Sequence, residues 1–252
     1  MPHLFHAVSG QNRYYAWFNA LHTRIDLLLL GTLSEAEYQA AEEAVHAELL
    51  AVEQMGNRFD PDSELSRAVQ AAVVRPFPLS PALYSLLERC LRANRETDGL
   101  FDITVNTPDF RPGLINTIHL SPFPDSPGGT LDLRPLTLDP RPTIIIYLSG
   151  ILKGYALERL RVLFPTLGIT DALINLGNSS ILSLGRNPSD IPPGHCLTTS
   201  GNATPDRRHI RNPLTGEFIT GQRQISVTTT DAVEGEILAT VAFIQGQSAT
   251  SA

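Results

Sequence analysis

The chain has 252 residues, 42% of them hydrophobic and 18% charged, with a formal net charge of −7. This is a globular composition, long enough to bury about three quarters of the unfolded surface in one large domain or two closely packed halves. The negative balance argues against a nucleic-acid groove, and no run approaches the ~20 apolar residues of a membrane span.

Met1 to Ala20 carries two histidines and two tyrosines instead of a continuous apolar core. It reads as neither a signal peptide nor a lipoprotein leader, so a cytoplasmic location is expected. Thr23 to Leu30 is an apolar, β-rich run closed by Gly31 and is expected to be a buried strand. Ser34 with Glu37 three residues on is a capping box, and Tyr38, Ala41, Val45, Leu49 and Val52 then recur at helical spacing. In Asn57 to Arg67, Asp60-Pro61 and Ser63 most simply cap a turn. A second helix opens at Ser80 with Pro81 at its first position, and it buries Leu83, Leu87 and Cys90. Cys90 and Cys196 form no metal-type spacing and are read as ordinary reduced thiols.

From Asn106 to Pro142 the chain is rich in proline, glycine and serine and reads as a long surface excursion. Thr143 to Leu148 is expected to be a buried strand that turns through Ser149-Gly150 into a helix carrying Lys153, Ala156, Leu160 and Leu163. Ala172–Leu176 and Ile181–Leu184 read as a strand pair, Ile225–Thr229 as a further strand and Glu236–Ile244 as a short final helix. Strands and helices mix without βαβ regularity, which predicts an α+β fold.

Five local features could carry chemistry. A strand, a glycine turn and Lys153 in the first turn of a helix would aim N–H groups and an ammonium at one point, as suits a phosphate; taken alone, a plain strand-to-helix turn with a solvated lysine is the favoured reading. Thr199-Ser200-Gly201 is followed by His209 ahead of Asn212-Pro213 and Thr215-Gly216, an imidazole beside a tight turn, although taken alone a surface histidine is the favoured reading. Glu236 and Thr240 share a helix face at i,i+4, both hard oxygen ligands suited to magnesium. Asp98-Gly99-Leu100-Phe101-Asp102 is a turn followed by an aromatic and an acid, and Asn57 to Arg67 is the fifth.

In this order the features resemble the flavin transferase family of ApbE type, which binds FAD and moves its FMN half onto a protein threonine with magnesium. That family carries S-x-F/Y-x-P-x-S-E-L-S-R, G-x-F-D, D-L-G-G-I-A-K-G-Y, N-L-G-G, T-S-G, H-I-I-D-P-x-T-G and A-D-A-L-A-T. The counterparts here are NRFDPDSELSR, GLFD, YLSGILKGY, NLGN, TSG, HIRNPLTG and GEILAT, spread from about Leu21 to Gly246. The resemblance implies an ApbE-like, T-fold-related arrangement of mixed sheets with flanking helices, in a single domain over residues 1–252. It implies a backbone carbonyl of Gly150 with Glu236 and Thr240 as magnesium ligands, and Lys153 beside the FAD phosphates. Leu21, Phe59, Leu100, Phe101, Asp102, Tyr147 and Ile210 are implied to line the flavin nucleotide. His209 is the residue implied to take the threonine proton.

The implied partners are FAD and an acceptor protein with a target threonine, with no nucleic acid and no membrane span. Four positions depart from the family pattern: Tyr147, Asn212 and Glu236 stand where it has aspartates, and Asn178 where it has a glycine. The chain also ends sooner after the last motif than relatives do. A non-catalytic FAD-binding relative, or a hydrolase splitting FAD into FMN and AMP, are the alternative readings.

Overall fold

The computed structural model describes residues 8–10, 12–134, 144–202, 204 and 209–246. A seven-stranded sheet has the order β1 (Val8–Gly10), β2 (Arg13–Ala20), β3 (Thr23–Leu30), β7 (Asp171–Leu176), β8 (Ser180–Leu184), β9 (Cys196–Asn202), β10 (Arg223–Thr229), with every pairing antiparallel. Tyr14, Ala16, Phe18 and Ala20 on β2 and Ile25, Leu27 and Leu29 on β3 are all buried, the alternation of strands with one covered face. No element was expected at β2, although that alternation is in its sequence. Leu21 and His22 join β2 to β3 as a two-residue turn with both φ positive, 51° and 58°.

Three helices cover the sheet: α1 (Glu35–Gly56) against β2, α4 (Leu152–Thr166) against β8, and α5 (Ala232–Gln245) against β9 and β10; α4 packs against both of the others. The capping box forms at Ser34 and Glu37, and the expected stripe from Tyr38 to Val52 is buried. A three-stranded sheet, β4 (Phe77–Leu79), β6 (Gly129–Asp132), β5 (His119–Pro122), carries α2 (Glu64–Ala72) and α3 (Pro81–Glu96). This mixed α+β architecture is the one the sequence predicts.

Four expectations need correction. Ser63 caps a full helix, α2, and not just a turn: its hydroxyl accepts from Ser66 N, and Leu65, Ala68 and Ala72 are buried at helical spacing. The described part of the 106–142 excursion is not all surface loop, because β5 and β6 form a hairpin on β4 that buries Leu131; the end of that segment lies outside the described residues. Residues 144–148 are not a ladder strand, although Ile144, Ile146 and Leu148 are buried. Their hydrogen bonds go instead to a loop: Tyr147 N donates to Ile103 O at 2.7 Å, and Ile145 N to Thr107 Oγ1 at 3.1 Å. Thr143 itself is not described. The last helix begins at Ala232, four residues earlier than expected, because Asp231 caps it by accepting from Glu234 N at 3.0 Å. Both cysteines are free and buried, and burial pushes each thiol up to about 12.

Candidate functional site

Helix α4 starts without a side-chain cap: Ile151 is its N-cap and offers no acceptor. The preceding Gly150 is exposed, with open space where a side chain would stand, so its backbone is accessible. One turn on, Lys153 Nζ donates to Ser179 Oγ in the β7–β8 turn. That turn bends through Gly177 and Asn178 at φ of 65° and 59°; asparagine tolerates this region, which explains how it stands in for a glycine. Asn178 N is held by Asn175 Oδ1 at 2.8 Å.

Glu236 on α5 points into the same region and is only 5% exposed. Ser180 Oγ donates to its Oε1 at 2.5 Å. Burial pushes the Glu236 carboxyl up to about 7, against the smaller pull of the Ser180 hydroxyl and the Lys153 charge. The helices can approach this closely because of Gly154: a Cβ there would come within 2.5 Å of Ala232 O and 2.7 Å of Glu236 Cγ. One turn along α5, Thr240 Oγ1 lies 3.0 Å from Ser200 Oγ on β9. Ser179 O also accepts from Thr199 N at 2.7 Å, so the TSG strand is tied to the Lys153 turn.

Among the described residues, no group of three or more His, Cys, Asp or Glu side chains could hold a metal ion. One buried carboxylate with hydroxyls and accessible backbone carbonyls is a hard-oxygen set, which fits magnesium and not zinc. A buried carboxyl raised by desolvation is also a group whose ionisation a cation would favour.

A second cluster adjoins the first. Phe59, 62% exposed, meets the Tyr147 ring edge-on with centroids 6.3 Å apart, and the Arg58 guanidinium lies over both rings. Through Tyr147 N and Ile103 O this cluster is joined to the GLFD loop. In that loop Asp102 is buried, and its Oδ1 accepts from Thr104 N at 2.7 Å and Thr104 Oγ1 at 2.6 Å. Desolvation raises its pKa against those two hydrogen bonds. Phe101 is buried and Leu100 half-buried. Leu21 N donates to Glu53 Oε2 at 2.7 Å, and its neighbour His22 lies 3.0 Å from Asn57 Nδ2, so the β2–β3 turn sits beside the Arg58 loop.

The third group is the HIRNPLTG turn. Asn212 Oδ1 accepts from Leu214 N at 2.9 Å, a role an aspartate would fill equally. Arg211 donates to Val105 O at 3.1 Å, docking the turn on the GLFD loop. Ile210 packs on Ile225, Val227 and Phe243, while His209 is exposed. A cavity of about 310 Å³ opens between Asp98, Gly99 and Asp102 on one side and Pro213 and Leu214 on the other. Lys153, Glu236 and Thr240 do not line it. Sequence reasoning missed Arg58, Ser179 and Ser180, whereas Ser200 lies in the TSG motif it singled out. Arg58 lies within a motif already matched, and the two serines directly after the NLGN turn were the available signal for the second and third.

The profile described as the ApbE family matches residues 21–252. The chain is 26% identical to the FAD:protein FMN transferase of Klebsiella pneumoniae (strain 342) over 239 residues, covering 78% of this chain and 68% of that protein. It is also 26% identical to the FAD:protein FMN transferase of Escherichia coli (strain K12) over 165 residues, covering 60% of this chain and 47% of that protein. The fold matches the flavin transferase ApbE from Vibrio cholerae with a TM-score of 0.73 at 20% identity, over 96% of this chain and 87% of that one. It matches the apo flavinyl transferase ApbE of Pseudomonas stutzeri with a TM-score of 0.72 at 16% identity, over 97% and 87%.

Proposed function

The chain belongs to the ApbE family, and from that premise we propose that it binds FAD and transfers the FMN half to a threonine of an acceptor protein, releasing AMP. Transferases named for this chemistry are its relatives. The observation that carries the reading is the buried Glu236, packed on Gly154 within the charge field of Lys153, with Thr240 one turn further along α5. Glu236 and Thr240, with the Gly150 carbonyl, are the proposed magnesium ligands. Bound magnesium would supply charge stabilisation to the phosphoryl oxygens.

The chain's own groups do the rest. Lys153, in the first turn of an uncapped helix, faces the anionic phosphates, and the α4 N–H groups point the same way. Phe59 offers an exposed ring for a planar group. The acceptor threonine hydroxyl forms a bond to the FMN phosphorus as the bond to AMP breaks, and its proton goes to the His209 imidazole.

The second reading, FAD binding without transfer, is favoured by one observation: position 147 carries a tyrosine engaged with Phe59 and Arg58 and offers no carboxylate. Incubation with FAD, magnesium and an acceptor protein bearing the threonine separates the readings. AMP release with a gain of one FMN mass on the acceptor is expected. AMP with free FMN and unmodified acceptor would make the protein a hydrolase, and FAD bound without AMP would make it a binder. No FAD binding at all would overturn the reading.

A further inference from the structure

One cation beside this site has no role in the reaction as written. Arg58 lies in the loop between α1 and α2, and its own carbonyl accepts from Ser66 Oγ at 3.2 Å, which fixes the loop to α2. Its guanidinium carbon is 4.4 Å from the Phe59 ring centroid and 5.1 Å from that of Tyr147. Nε is buried and meets no hydrogen-bond acceptor among the described residues. No carboxylate among them stands within ion-pair distance of Arg58. This sets it apart from Arg24, Arg89, Arg134, Arg159 and Arg161, each of which has an acidic partner.

The loop sits against the start of α4. A Cβ on Gly56 would come within 2.6 Å of Leu152 Cδ1, so the end of α1 touches the first turn of α4 next to Lys153. Tyr147, which carries Arg58, is three residues before Gly150. The cluster is open to solvent on the Phe59 side. Two rings hold the guanidinium by its charge and leave its terminal Nη donors for another group. A carboxylate at position 147 would neutralise it, whereas the tyrosine leaves the charge uncompensated. A planar fork of donors with no acid partner, at the edge of a phosphate-directed helix start, matches an anionic phosphate ligand bidentately.

We propose that Arg58 is a substrate-binding residue, that it contacts the pyrophosphate of the dinucleotide, and that Phe59 and Tyr147 hold it in position. This rests on the proposed use of FAD and adds a residue to that site. Tyr147 then serves the substrate indirectly, as the support of a cation.

The full chain with magnesium is titrated with FAD at several salt concentrations, for the unaltered protein and for R58Q. R58Q is expected to bind FAD about 10- to 100-fold more weakly, and with a shallower dependence on salt, because one charge contact is gone. ADP, which carries the pyrophosphate without the flavin, is expected to lose affinity in parallel. Should R58Q fail to fold, R58M keeps an unbranched stem against both rings and carries the same expectation. FAD affinity unchanged in the variant would overturn the proposal. So would weaker binding with an unchanged salt dependence, which would reduce Arg58 to a packing role. An unaltered protein that binds no FAD would instead remove the functional reading on which the proposal rests, so the two failures are distinguishable.

Discussion

Ser180 Oγ donates to Glu236 Oε1 at 2.5 Å, tying the first residue of β8 to the second turn of α5 across 56 positions of sequence. A carboxyl in that setting is held by one hydroxyl, and burial pushes it up to about 7. Its ordinary value is near 4.5, so the folded state keeps the proton where the unfolded chain has lost it. The stability from this group is therefore full below about pH 4.5 and is lost as the pH rises through 7. The loss is on the order of 3 kcal/mol. In EDTA, the melting temperature is expected to fall by about 5–10 °C between pH 5 and pH 8. Glu236→Gln should flatten that fall. Equal slopes in both proteins would show that Glu236 does not titrate in the fold.

Gly154 sets the spacing between α4 and α5. A methyl group there would meet a backbone carbonyl, Ala232 O, at 2.5 Å as well as Glu236 Cγ. A carbonyl in a helix cannot rotate away, so the helices would have to separate. Gly154→Ala is expected to cost about 1–3 kcal/mol by overpacking, even though alanine has the higher helix propensity. It should also weaken magnesium-dependent FAD binding, because Glu236 moves with α5. Chemical denaturation and FAD titration check the two effects separately. A variant as stable as the parent would show that the helix contact is looser than the packing implies.

Lys153 sits where the helix dipole disfavours a cation. Its hydrogen bond to Ser179 is a side-chain contact that a solvated lysine would not need. Lys153→Ala should leave the melting temperature within a few degrees while reducing FAD affinity about tenfold or more. A normal FAD titration in the variant would remove Lys153 from the phosphate site.

Much of the frame was legible in the sequence because single elements announce themselves locally. Ser34 and Glu37 form a capping box, Thr23 to Leu30 is a strand over the expected residues, and Ser80 caps α3 ahead of Pro81. What could not be read depends on contacts between distant segments. Residues 144–148 look like a strand by composition, yet their partner is the loop at Ile103 and Thr107. The β5–β6 hairpin hides in a segment rich in turn residues, because its register is fixed by β4, which lies some 50 positions upstream. In the site, Glu236 and Thr240 are visible as an i,i+4 pair, but Ser180 and Ser200 join them only through the sheet. Arg58 is unremarkable in a motif string, and its meaning comes from the two rings around it.

His209 decides between transfer and binding. It is exposed at the start of a turn whose Arg211 is docked on Val105 and whose Asn212 holds Leu214 N, two contacts that the His209→Ala variant keeps. Removing the ring should therefore leave the turn and the FAD site standing. If the imidazole takes the threonine proton, His209→Ala keeps FAD affinity nearly unchanged and lowers FMN transfer by ~10²–10⁴-fold, the usual contribution of a general base. The loss should appear in kcat with KM for FAD little altered, because the interaction is made as the threonine reacts and not when FAD binds. Loss of FMN transfer with AMP release intact would mean that water replaces the threonine and that His209 positions the acceptor alone. A fall in FAD affinity and melting temperature together would instead make His209 part of the turn's framework. Rates, affinities and melting temperatures measured on the one variant tell these three outcomes apart.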